Sequence, residues 1–350
     1  MSRPQDPQRS LFSFGNPFRM ISSKGSRMSP RLLAELNAFE ETLANRMRKL
    51  MPKDKDEVLS LTWMKLAIEL VSETHNDVKT LITKLDLPVC DWDEKWIDVY
   101  LDISVKLLDI CIAFSSELSR LNQGHLLLQC ALHNLDSSKQ FIRAYSSLDC
   151  WRQHITSKNP RVENCRTILD SIVKSIDLPK VKNSAKEKVL MRAMYGVKVL
   201  TVYICSVFSA GFTSSAEKLL DLNVADSYLW AQAFNNLQST VNEEIRKIFS
   251  SERSTTLKEL KAVDACVKKM YSSFQDGAGA VEVESPPITS ADLGRRAEEL
   301  SQGLNHLAEE VDGFFQVVLS GRDSLLSNLR ASGTVFDQTV GGNVEKQLVR

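Results

Sequence analysis

The sequence predicts an all-α fold: an elongated antiparallel multi-helix bundle with a long coiled-coil-like C-terminal helix. Three observations carry this. Apolar residues recur at steps of three and four in segment after segment, and no stretch keeps the period-two alternation of a strand. Prolines, Asn-Pro and Leu-Pro pairs, and capping hydroxyls separate those segments at helix-like intervals. No unit of about 30–45 residues repeats, which sets a solenoid aside.

The chain is organised around Asp91–Leu135, read as one long helix. At 100° per residue, Asp91, Lys95, Asp98, Asp102, Lys106, Asp109 and Arg120 gather into one narrow ridge. Most of the remaining surface is apolar, with Trp96, Ile103, Leu107, Ile110 and Phe114 on one side and Ile97, Leu101, Val105, Leu108 and Ile112 on the other. A helix that is apolar over so wide an arc must be covered by several others. It belongs at the centre of the bundle with one charged ridge showing, and Gly124 is the point where it would break or kink.

Before it, residues 1–29 form a basic arm with no long element, because Pro4, Pro7, Gly15, Pro17 and Gly25 interrupt it. Within the arm, Phe12, Phe14, Phe18 and Arg19 make an aromatic-basic cluster suited to a partner or a membrane interface, or to packing on the bundle. Residues 1–31 carry six Arg/Lys and seven Ser against one acid, a composition that suits a chloroplast-type transit peptide and a disordered arm alike. Ser29-Pro30 then opens a helix that Pro52 ends, with serine as cap and proline in the first turn. The next helix spans about Asp54–Leu85 and stops at Asp86-Leu87-Pro88.

After the long helix, Asp136 or Ser137 starts a segment carrying Phe141, Tyr145, Leu148, Trp151 and Ile155. Asn159-Pro160 separates it from one carrying Val162, Cys165, Leu169 and Ile172. Ser184 and Glu187 form a capping box ahead of the most apolar segment. Its uncharged run Val199–Phe212 is 14 residues. That spans roughly 21 Å against a hydrocarbon core of roughly 30 Å, so a buried core helix is the expectation, with Lys198 able to snorkel if it were not. Trp230, Phe234, Leu237, Val241 and Ile245 mark a further helix, and Thr256 with Glu259 a second capping box. The bundle is expected to extend over residues 30–274, with 275–289 a Gly/Pro-rich linker. Residues 290–331 keep a Leu-rich a/d stripe from Leu293 to Leu329, expected to pack back on the bundle, and 332–350 read as a mobile tail.

Composition narrows the function. The 350 residues hold 44 basic and 44 acidic side chains, and this balance argues against a general nucleic-acid binder. Seven isolated cysteines without a C-x-x-C suit free thiols in a reducing compartment. No phosphate-binding, dinucleotide, nucleophile-elbow or zinc-protease motif occurs. Cys130 and His133 sit three apart but lack two further ligands for a metal. Neither catalytic residues nor a cofactor or metal site is therefore assigned. Asp98, Asp102 and Asp109 are expected to form a solvated face, with Asp102 and Lys106 an i,i+4 pair, and a surface for a protein partner. Lys180, Lys182, Lys186, Lys188 and Arg192 make a locally basic stretch that can meet anionic lipid headgroups or simply be solvated.

Long strings of the chain are familiar. RPQDPQRSLFSFGNPFRM, ETHNDVKTLITKLDLPVCDWDEKWIDVYLDISVKLLDIC, SRLNQGHLLLQCALHNL, LPKVKNSAKEKVLMRAMYGVKV and FFQVVLSGRDSLLSNLR resemble the plant BYPASS family. The resemblance covers nearly the whole chain and implies a non-enzymatic developmental regulator. It implies normal root and shoot growth through restraint of a root-derived, graft-mobile, carotenoid-related signal that arrests shoot growth. It supplies no catalytic residues. Related helical plant proteins are associated with exocyst subunits and secretion, which implies an adaptor and a cytoplasmic or endomembrane (ER) setting beside the chloroplast one. An enzyme or binder acting on the signal's precursor is the remaining alternative.

Overall fold

A computed structural model of the chain describes residues 28–87, 94–135, 141–175, 184–251, 257–276 and 287–341. Among them the regular elements are α-helices with two short 3-10 turns, and the class is all-α. The helices are α1 (Pro30–Lys49), α2 (Leu61–Leu85), α3 (Glu94–Leu135), α4 (Phe141–Thr156), α5 (Pro160–Lys174), α6 (Ala185–Thr213), α7 (Ala231–Ser251), α8 (Lys258–Asp276) and α9 (Pro287–Gly341).

The boundary chemistry works as the residues suggest, with two changes. The Ser29 hydroxyl accepts from the Leu32 amide, and Asn159 accepts from the Arg161 amide. At the start of α6 the Glu187 carboxylate accepts from the Ser184 amide at 3.4 Å. The first change concerns α2, which begins at Leu61 rather than near Asp54. Leu59 adopts φ 62° and is fully buried, so the chain turns there, and Ser60 caps the helix through the Trp63 amide. The second concerns Glu259, expected to pair with Thr256, which lies outside the described residues. Both Glu259 oxygens instead accept from the Leu61 amide, each at 3.1 Å. A carboxylate on α8 thus satisfies an orphan amide at the head of α2, 198 residues away in sequence.

Helix directions follow from the pairings. Ser115 meets Asp312, Asn122 meets Asn305, and Arg322 reaches the Leu101 carbonyl, so α3 and α9 run antiparallel. Arg46 of α1 reaches Glu73 and Asp77 of α2 while Lys84 pairs with Glu35, which is antiparallel again. Along its length α9 lies on α3, α2 and α8. The stripe Leu293, Ala297, Leu300, Leu304, Leu307, Val311, Phe314 and Val318 is buried there within the same chain. Backbone helix in α9 begins three residues before the expected start and runs on to Gly341, through part of the expected tail.

The most enclosed helix is α6, packed against α1, α2, α5 and α7. It alone among the described residues is long and apolar enough to cross a membrane, and 94% of its most apolar window is buried inside the protein. It is a core helix. Phe114 of α3 stacks near Phe208 and Phe212 of α6, with centroids 5.6 and 5.5 Å apart, tying the two long helices together. α3 is less central than its pattern predicts, because Val105 and Ile112 are 42% and 44% exposed beside the acidic ridge. It is unbroken at Gly124, where a Cβ would meet the Trp151 and His154 side chains at 3.4 Å. Here glycine serves the close packing of α4 rather than a kink.

Candidate functional site

Five helices converge on a small pocket in the core. Its lining comes from α2 (His75), α3 (Tyr100, Ile103, Ser104, Leu107), α5 (Ile172), α6 (Met194, Val197, Lys198, Thr201, Val202) and α9 (Val318). The α6 residues share one face because they recur at three and four. The pocket holds about 30 Å³, on the scale of a few waters.

Lys198 sets its chemistry. The residue is 6% exposed, and its ammonium Nζ is buried with no hydrogen-bond partner. Burial alone pulls its pKa down from 10.5 to about 8. In the sequence this lysine is the lone charge in an apolar run, and with that run buried as expected the fold turns it inward. His75 faces it across the pocket, with Nε2 3.0 Å from the Thr201 hydroxyl. Thr201 gives its only hydroxyl hydrogen to the Val197 carbonyl at 2.8 Å, so His75 Nε2 must be the donor. Burial, helped by the nearby Lys79 charge, lowers the His75 pKa to about 4. The imidazole is therefore neutral at physiological pH. Phe314 meets it edge to face at 5.2 Å.

The Thr201 and Ser104 hydroxyls are already committed. Ser104 donates to the Leu101 carbonyl at 2.7 Å and accepts from Arg322 at 3.0 Å. Tyr100 has its pKa raised by burial, against the opposing pull of Arg322. The described thiols nearest the core are no better nucleophiles: burial pushes Cys111 up to about 12 and Cys165 to about 11, and raises Cys205 strongly. Among the described residues no cluster of three or more His, Cys, Asp or Glu is arranged to hold a metal, and Cys130 is an exposed free thiol.

The residues picked out from sequence fall elsewhere. Asp98, Asp102 and Asp109 are exposed on the outer face of α3, and Lys106 pairs with Asp102 at 2.6 Å. Arg120 leaves that ridge: it pairs with the buried Glu117 and donates to the His154 carbonyl, joining α3 to α4. Of the basic stretch, Lys186 donates to the Asp86 carbonyl at the end of α2. Arg192 turns inward onto the buried Glu40. Lys188 is part-buried on the first turns of α6, and Lys180 and Lys182 lie outside the described residues, as do Phe12, Phe14, Phe18 and Arg19. The pocket was not read from the sequence. Lys198 carries a visible signal there, a charge inside an apolar run, but His75 gains meaning only when α2 packs against α6.

Known proteins place the chain. No solved structure matches it. Protein BPS1, chloroplastic, of Arabidopsis thaliana is 57% identical over 335 residues, covering 95% of this chain and 94% of the relative. UPF0496 protein 4 from the indica and japonica rice subspecies is 42% identical over 317 residues in each case, covering 89% of this chain. The chain spans 66% of the length of those rice relatives. The family described as Protein BPS1 matches residues 70–327, which include every pocket residue named above and the whole exposed face of α3. With that match and that identity, the chain belongs to the BPS1 family of BYPASS-type plant developmental regulators.

Proposed function

We propose that this chain is a non-enzymatic helical scaffold that supports root and shoot development by restraining production of a root-derived, mobile, carotenoid-related signal. The observation that carries the scaffold reading is the outer face of α3. Asp98, Asp102 and Asp109 stand exposed there, interleaved with the half-exposed Val105 and Ile112. Charge flanking apolar side chains on a rigid helix suits a protein partner that brings basic residues and a small apolar contact.

The test replaces Asp98, Asp102 and Asp109 together with lysine. The variant should keep its thermal midpoint but fail to restore shoot growth in a plant line lacking the gene. Proximity labelling in roots should lose partners that the unaltered chain recovers. Full rescue by the variant would sink the scaffold reading at this face. Recovery of exocyst subunits as the partners lost would assign the adaptor role to secretion.

For the compartment, the name of the 57% identical relative supports the chloroplast, and the acid-poor, Arg/Ser-rich N-terminal composition agrees with it. Fluorescent fusions at each end distinguish the settings. Plastid import shows signal inside plastids only for the C-terminal fusion. Uniform cytosolic or ER signal from both fusions would remove the chloroplast assignment.

A further inference from the structure

The pocket around Lys198 has features that a structural core does not require. A lysine in a packed interior costs stability unless something answers its charge. Among the described residues nothing does so: Nζ has no hydrogen-bond partner, and no acidic residue lines the pocket. Two further cations touch lining residues from outside the pocket. Lys79 lies close enough to His75 to depress it, and Arg322 touches Ser104 in the pocket wall. Tyr100 and Lys79 both approach Gly321 on α9, where an added Cβ would come within 2.8 Å of the Tyr100 hydroxyl and 3.9 Å of Lys79. His75 and Tyr100 are the two lining residues that are only part-buried, so they mark the side of the pocket nearest solvent. Lys198 is therefore the one cation lining a small, largely apolar space.

We propose that this pocket binds the carboxylate head of a small organic acid, with the Lys198 ammonium as its counter-ion. The size agrees, because about 30 Å³ takes a carboxylate and little else, leaving an apolar tail to pass between His75 and Tyr100. The donors agree as well. Thr201 and Ser104 have spent their hydroxyl hydrogens on backbone carbonyls, and His75 Nε2–H is spent on Thr201. The ammonium remains as the strong donor with nothing to donate to. A carboxylate accepts from it in a low-dielectric site, where a charge-assisted hydrogen bond is at its strongest. The inference stands independently of the scaffold reading, since the pocket is away from the exposed acids of α3.

The test titrates the full chain with acetate, butyrate and octanoate, using butyramide as the neutral isostere of butyrate. Butyrate should bind at least about tenfold more tightly than butyramide, the scale of one charge-assisted hydrogen bond. Lys198→Met keeps the length of the side chain and removes the charge, so it should erase the difference. A second measurement needs no variant. A carboxylate stabilises the protonated lysine, so binding above about pH 8 should take up protons. Calorimetry in two buffers of different ionisation enthalpy reads that uptake. His75 of the pocket lining is already neutral there. Equal binding of butyrate and butyramide, or no binding of any acid in the series, would overturn the proposal.

Discussion

The fully buried Glu40 of α1 and the part-buried Arg192 of α6 form a two-point ion pair. Arg192 Nε and one terminal nitrogen donate to the two carboxylate oxygens, the latter at 3.1 Å. The Leu229 amide adds a third donor to Glu40 at 2.9 Å. Arg192 also donates to the Ser227 carbonyl at 2.8 Å and lies over the Tyr228 ring at 4.9 Å. One pair thus joins two helices to the segment that leads into α7.

Removing Arg192 strands the Glu40 carboxylate in the core, and removing Glu40 leaves the part-buried Arg192 without its carboxylate. Glu40→Ala or Arg192→Met should each lower unfolding stability by about 3–5 kcal/mol, read as a shift of the urea midpoint. The double variant Glu40→Leu/Arg192→Met should lie well above the sum of the singles. Lys247, paired with Glu243 and Glu244 on the surface of α7, is the contrast, and Lys247→Ala should leave the midpoint where it is.

Lys198 makes stability depend on alkaline pH. Its folded pKa of about 8 lies below the unfolded 10.5, so the unfolded chain holds more protons between those values. Stability from this group therefore rises with pH across that window, and the penalty is complete below about pH 8. The penalty is on the order of 3 kcal/mol. Lys198→Met should be more stable than the parent at neutral pH, and the gap should close toward pH 10.5. Tyr100 and the buried thiols act in both proteins, so the difference between the two curves isolates the lysine. A constant gap across that range would refute the assignment.

His75 governs the acid side. Its folded pKa of about 4 lies below 6.5, so the unfolded chain takes up the proton first as pH falls. Stability should be lost between those values, by about 1–2 kcal/mol at about pH 5, since the ring is only part-buried. The Lys79 charge adds to the effect of burial on the ring, and no acid lines the pocket to offset it. His75→Gln should flatten this limb of a stability-pH profile measured by thermal unfolding. An unchanged acid limb would place the titrating group elsewhere.

Two glycines should respond oppositely to alanine. At Gly196 of α6 an added Cβ would stand 2.7 Å from Leu43 and 3.2 Å from Trp230, both fully buried. Gly196→Ala should cost about 1–3 kcal/mol, because neither neighbour has room to retreat. Gly313 of α9 has nothing within 4 Å of its Cβ position. Gly313→Ala should stabilise by about 0.5–1 kcal/mol through helix propensity alone. Both effects are visible in chemical denaturation.

By itself the sequence determined the helices, most of their boundaries and their buried stripes. Those are local consequences of residue spacing, hydroxyl caps and proline, as Ser29-Pro30, Asn159-Pro160 and the Leu293–Val318 stripe show. It also carried enough specific wording to reveal its family, and the match over residues 70–327 agrees. What an isolated charge would meet was settled by the tertiary structure. Arg120 and Arg192 look like surface cations until α4 and α1 supply a carbonyl and a carboxylate. Glu259 looks like a cap for its own helix until the head of α2 arrives beside it. Lys198 and His75 are 123 positions apart and become one pocket only when α2 and α6 pack in opposite directions. The reason is physical: helix periodicity tells a side chain which face it lies on, whereas its electrostatic partners belong to helices brought there by packing.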